Sequence, residues 1–121
     1  MNSILDDIKK MLGIDSGYDA FDVDIITNIN TAIMSLTQFG IGPSVGFRVT
    51  GSTENWDALL TNDTFVEGAK TFVYLKVKLA FDPPTSSFAV EAIKEQILEL
   101  SWRLMVQVDP IEPVVDPEAE L

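Results

Sequence analysis

Asp15, Asp19, Asp22 and Asp24 crowd one short stretch of the chain. Carboxylates this close together are the side chains a hard cation such as calcium takes. A calcium loop beginning at Asp15 needs glycine at its sixth position and glutamate at its twelfth. Ala20 and Ile26 stand there instead. These aspartates therefore read as a polar turn and a helix cap, and no metal is expected. Paired carboxylates can also do acid–base work, but most of the acids fall at helix starts or on polar faces, where solvation accounts for them. The chain has no histidine, which removes the commonest general base. It has no cysteine, which removes disulfides, thiolate metal sites and thiol nucleophiles. No phosphate-binding GxxxxGK[ST] or nucleophile GxSxG pattern occurs. Gly40-Ile41-Gly42 looks like the start of a dinucleotide fingerprint but follows a helix pattern rather than a strand. No catalytic residue and no cofactor are expected.

Charge narrows the partners. The 121 residues include 19 acids and 8 bases, a formal net charge of −11. A duplex or an anionic membrane is repelled by that sum. Lys70, Lys76, Lys78 and Lys94 are spread through two helix patterns and do not form one stripe. A negative wall repels phosphates, which suits a conduit that DNA slides past; from charge alone, simple solubility is the better explanation. No apolar run approaches the roughly 20 residues of a membrane span. The start, MNSILDDIKK, lacks the basic head and apolar stretch of a secretory signal. The expectation is a cytosolic protein.

The elements follow from periodicity. A helix is predicted over 3–12, capped by Ser3, with Asp6 and Asp7 at its positive end and Lys9 and Lys10 at its negative end. Ile4, Leu5, Ile8, Met11 and Leu12 share one face, and Gly13 ends it. A second helix is predicted over 22–39, with Asp22 as N-cap and Ile25, Ile26, Ile29, Ala32, Ile33 and Leu36 on its apolar side. Asn28, Asn30 and Thr31 sit between those positions, so that face is solvated or meets a polar partner. Residues 40–52 hold four glycines and Pro43, which predicts a long loop. Val45, Phe47 and Val49 alternate with Gly46 and Arg48, the two-residue period of a short β ribbon. A short helix over 54–60, capped by Ser52 or Thr53, carries Trp56, Leu59 and Leu60.

A fourth helix is predicted over 64–81, capped by Asn62 or Asp63. Val66, Ala69, Val73, Val77 and Ala80 fit a helical stripe. Leu75, Val77 and Leu79 also alternate with Lys76 and Lys78 in a strand-like way, and Thr71 to Leu79 are rich in β-prone residues. The length of the run decides for helix. Asp82-Pro83-Pro84 stops it. Ser86 or Ser87 then caps a last helix over 88–106, with Ile93, Ile97, Leu100 and Leu104 as a heptad-like seam. The fold expected is mainly α, a small bundle of four to five helices. A long glycine-rich loop or short β ribbon lies between the second and third. The domain spans 1–108. From Asp109 an acidic, proline-rich tail (109–121) carries no basic residue. Such a tail frays, or docks in a neighbour's groove through Ile111, Val114 and Val115.

Most aromatic side chains belong in a core. Phe39, Phe47 and Trp56 flank the glycine-rich loop, so some of them are candidate interface anchors. Val45 and Val49 join them as candidate subunit contacts. Trp102 and Met105, with the tail's three aliphatics, are the candidate docking residues for a neighbouring part.

FDVDIITNINTAIMSLTQFGIGP, then Gly46-Phe47, Trp56, FVYLKVKLAFDPPTSS and EAIKEQILELSWRLMVQ together resemble the head-tail connector proteins of tailed bacteriophages and prophages, notably those of Gram-positive hosts. The resemblance covers about residues 3 to 108 and rests on packing and turn signatures. It implies a mostly helical subunit of a homo-oligomeric ring beneath the portal protein of the filled capsid. The ring would present a surface to the next connector, stopper or tail protein. DNA would pass through the central hole without sequence-specific binding, and no catalytic residue is implied. The place implied is the head–tail interface of the virion, after synthesis in the host cytoplasm. The reading from charge and helix pattern alone leaves an alternative, an acidic helical module that inhibits a basic partner protein.

Overall fold

The computed structural model describes residues 3–60 and 66–108. Five helices follow in order: α1 (Ile4–Met11), α2 (Asp22–Gln38), α3 (Trp56–Leu59), α4 (Val66–Phe81) and α5 (Ser87–Val108). The expected mainly helical bundle is the observed one.

Local chemistry sets the helix ends. The Ser3 hydroxyl accepts from the Asp6 N–H at 3.0 Å and starts α1. Gly13, at φ +82°, lets the chain leave α1. The Ser86 hydroxyl accepts from the Ala89 N–H at 3.2 Å and starts α5. Two caps differ from expectation. Phe21, not Asp22, is the N-cap of α2, and it makes no side-chain cap bond. The Asp22 carboxylate is instead drawn to Lys9, 2.8 Å away. Asn55, not Ser52 or Thr53, caps α3, accepting from the Ala58 N–H at 3.0 Å. The expected caps of α4, Asn62 and Asp63, lie outside the described residues. The segment with strand-like alternation, from Thr71 to Leu79, is helical throughout.

The three long helices form the frame. α4 packs most extensively on α2 and then on α5. Phe21 meets Phe81 at 5.4 Å and Phe39 meets Phe72 at 5.6 Å, ring centre to ring centre. The start of α2 thus meets the end of α4, and the end of α2 meets a residue nearer the start of α4, so the two helices are antiparallel. α4 and α5 are antiparallel too. A short link joins them at one end, and at the other a Cβ on Gly68 would lie 3.2 Å from Leu104. α4 therefore stands between α2 and α5. Its Val66, Ala69, Phe72, Val73 and Val77 are buried in the core with Ile25, Ile29, Ala32, Ile33 and Leu36 of α2. α1 lies over α2 and α4, with Ile4, Leu5 and Ile8 buried.

No strand forms among the described residues, so the β-ribbon alternative for 45–49 gives way to the loop. The reason is a side chain. Asn30 of α2 accepts from the Val49 N–H at 2.7 Å and donates to the Val49 carbonyl at 2.9 Å. One amide thus occupies both backbone groups that a neighbouring strand would have used.

Candidate functional site

The aspartate cluster near the start of the chain disperses. The Asp15 carboxylate accepts from the Gly17 N–H at 2.8 Å, and Asp22 pairs with Lys9. Lys9 is only 1% exposed, and its ammonium also donates to the Ser16 carbonyl at 3.0 Å. That buried cation ties α1 to the turn and to the first residue of α2. Among the described residues no group of three or more His, Cys, Asp or Glu side chains is placed to hold a metal ion.

Glu54 is held ionised by its neighbours. Its carboxylate accepts from the Thr50 hydroxyl at 2.5 Å, the Thr50 N–H at 3.1 Å and the Gly51 N–H at 3.3 Å. These bonds, led by the Thr50 hydroxyl, lower its pKa from the usual 4.5 to about 2. A carboxyl held ionised in this way closes a turn; it has no proton to give at neutral pH.

Shape is what the surface offers. Residues 40–52 form a loop with buried feet and an exposed tip. Ile41 and Val49 are buried at its two ends, and Val45 at the tip is 95% exposed. The Gly46 N–H donates to the Pro43 carbonyl at 2.9 Å and folds the tip over. Gly42, at φ +88°, lies so close to α3 that a Cβ there would come within 3.0 Å of Leu59. Of the candidate subunit contacts, Val45 alone is fully presented. Phe47 is half-buried against the core, and Phe39 is half-buried against Phe72. Val49 and Trp56 are enclosed by their own chain. The Trp56 indole N–H donates to Asp7 Oδ2 at 2.8 Å, and the Lys70 ammonium lies 5.7 Å from the centre of the ring.

α5 presents the second surface. It has two apolar sides. One carries the expected seam: Leu104 is buried, and Ile97, Leu100 and Val108 pack partly buried on the core. The opposite side carries Phe88, Leu98, Trp102 and Met105, all exposed, with Trp102 at 59%. Leu98, Trp102 and Met105 are spaced four and three apart, so they form one outward stripe. Beside it lies an open groove of about 360 Å³, lined by Gly68, Leu100, Trp102, Arg103, Leu104 and Val106 among others. Arg103 is held by Glu99 at 2.8 Å. Such a groove accepts an apolar side chain. The tail candidates Ile111, Val114 and Val115 lie outside the described residues.

A family model described as phage connector protein matches residues 4–110. The chain belongs to that family. The match spans all five helices, and it makes the chain a structural head-tail connector of a phage, a virion component that contacts portal or tail proteins. No curated protein and no solved structure matches it. No helix among the described residues is long and apolar enough to cross a membrane. The sequence signals missed two features of this connector, the buried Lys9 and the Asn30 clamp. A lysine in the last turn of α1 has an adequate local reason to be there, the helix dipole, and nothing local marks it as buried. Asn30 did carry a signal, a polar side chain among apolar positions of α2.

Proposed function

We propose that this connector assembles as a ring between portal and tail and works by surface complementarity alone. The observation that carries the reading is the outward stripe of α5, Phe88, Leu98, Trp102 and Met105, which stands exposed among the described residues. Large apolar side chains aligned on one exposed helix face mark a contact surface. Subunits meet side by side through helix faces and the loop at 40–52, with Val45 at its tip. The α5 face and the tail, with Trp102, Met105, Ile111, Val114 and Val115, engage a neighbour, either the portal or an adjoining subunit. Val49 and Trp56 support this surface from beneath. DNA passes through the central hole, and the net charge of −11 keeps its phosphates from adhering. The reading involves no cofactor and no bond-making step.

The domain ends at Val108 in this reading, and 109–121 is a docking arm. A chain cut after Val108 therefore keeps its helical circular dichroism and its unfolding midpoint but fails to co-sediment with rings of the portal protein from the same phage genome. The intact chain binds those rings and forms a closed annulus in electron micrographs. Failure of the intact chain to bind portal rings overturns the connector reading. Undiminished binding by the shortened chain overturns the arm.

A further inference from the structure

Between Asp24 and Arg48 lie 23 residues without one charge. At the chain's 22% charged content, about five would be expected there. Most of the stretch is α2, and the outward side of α2 faces solvent. Val23, Thr27, Thr31 and Met34, at steps of four, four and three, are all exposed. The two threonine hydroxyls are turned inward: Thr27 donates to the Val23 carbonyl at 2.9 Å and Thr31 to the Thr27 carbonyl at 3.0 Å. A threonine bonded in this way shows its methyl group to its surroundings. The outward side of α2 is therefore a smooth, uncharged stripe on a strongly acidic molecule. Depletion of charge, more than bulk hydrophobicity, distinguishes the centre of an interface from ordinary surface.

α2 and α5 each pack on α4 rather than extensively on each other, so their outward stripes are two separate patches of one subunit. Two unlike patches on a subunit are what a head-to-tail contact requires, and such contacts close into rings or run on as filaments. Charge decides which patch meets which. The α5 stripe is flanked by Glu91, Glu95 and Glu99, with Lys94 paired to Glu91 and Arg103 to Glu99, so three acids against two bases leave its rim net negative. Two α5 stripes face to face would bring these carboxylates together, and like charges in a contact are costly. Two α2 stripes face to face would leave Phe88, Leu98 and Trp102 in water. An α5 stripe laid on an α2 stripe buries the large side chains and sets the glutamates against a neutral surface.

We infer that the uncharged outward face of α2 is the seat for the α5 stripe of the next copy of this chain. This rests on the ring reading and names the partner of the α5 face within it; the tail is then the part left for the portal. Because the chain has no cysteine, Met34→Cys and Leu98→Cys introduce single, unambiguous thiols. Under mild oxidation a mixture of the two single variants forms the unlike disulfide dimer, while either variant alone stays uncrosslinked. The double variant forms a ladder of covalent oligomers. Met34→Glu weakens association about tenfold or more, because a charge is buried without a partner, and its unfolding midpoint stays that of the parent. Crosslinking of either single variant with itself overturns the pairing, as does association that Met34→Glu leaves unchanged. Closed rings linked through like positions sink the pairing and keep the ring. Unlike links that build only open filaments sink the ring and keep the pairing. A chain that stays monomeric to its solubility limit overturns both.

Discussion

Trp56 and Trp102 mark two regions built on opposite plans. Around Trp56 the polar groups are met from within the chain. The indole bonds Asp7, Lys70 lies over the ring, Asn30 clamps Val49, and the Ile4 N–H reaches the Glu54 carbonyl at 3.0 Å. Around Trp102 the helix carries a second apolar stripe that stands exposed among the described residues. In α5, Leu104 is the one buried residue of 22. The first region uses its large side chains to hold α1, α3 and α4 together. The second holds its own against α4 with one face and spends the other outside the fold. The contrast teaches that the same residue type can stabilise or recognise, depending on whether its polar edge finds a partner inside the chain.

The contrast can be broken at the core first. Trp56→Ala empties a buried site and takes the indole bond from Asp7, so it should destabilise the fold by about 3–5 kcal/mol, read from denaturant unfolding. A loss below about 1 kcal/mol, closer to the cost of a surface change, would put Trp56 outside the core. Asn30→Ala comes next. It strips both partners from the Val49 backbone and should cost about 1–3 kcal/mol, with faster amide exchange at Val49. Unchanged exchange there would show that the clamp is not what orders the loop. Glu54→Gln has the smallest effect and a distinctive pH dependence. The folded pKa lies below the usual 4.5, at about 2, so ionised Glu54 stabilises the fold above about pH 4.5. That contribution is lost as the pH falls toward 2. The stability difference between parent and variant should therefore shrink across that window, measured by thermal melts at several pH values. A constant difference would mean that the Thr50 and Gly51 bonds do not depend on the charge.

Much of this was legible in the sequence. Ser3, Gly13 and Ser86 announce helix ends because capping is local chemistry between residues a few positions apart. The choice of helix for α4 came from run length and the stripe from Val66 to Val77, and packing on both sides explains why that segment is also so apolar. What stayed hidden depends on contacts between distant residues. Asp22 looks like an N-cap until Lys9 claims its carboxylate. The alternation of Val45, Phe47 and Val49 suggests a strand until Asn30 supplies the bonds a second strand would make. Trp56 and Trp102 are indistinguishable as letters, and only the fold turns one inward and the other out. The α5 surface was half-visible: the seam at Ile93, Ile97, Leu100 and Leu104 is there to read, and Trp102 and Met105 stand off it.

The outward stripe of α5 is the account's centre, and Trp102→Asp addresses it directly. Unfolding midpoint, association of the chain with its own copies and assembly onto portal rings should be measured on the same preparation. The account expects stability within about 0.5 kcal/mol of the parent, as for a surface change, together with loss of assembly. A large fall in stability would place Trp102 in the fold, and normal assembly would show that the stripe joins nothing; either result contradicts it.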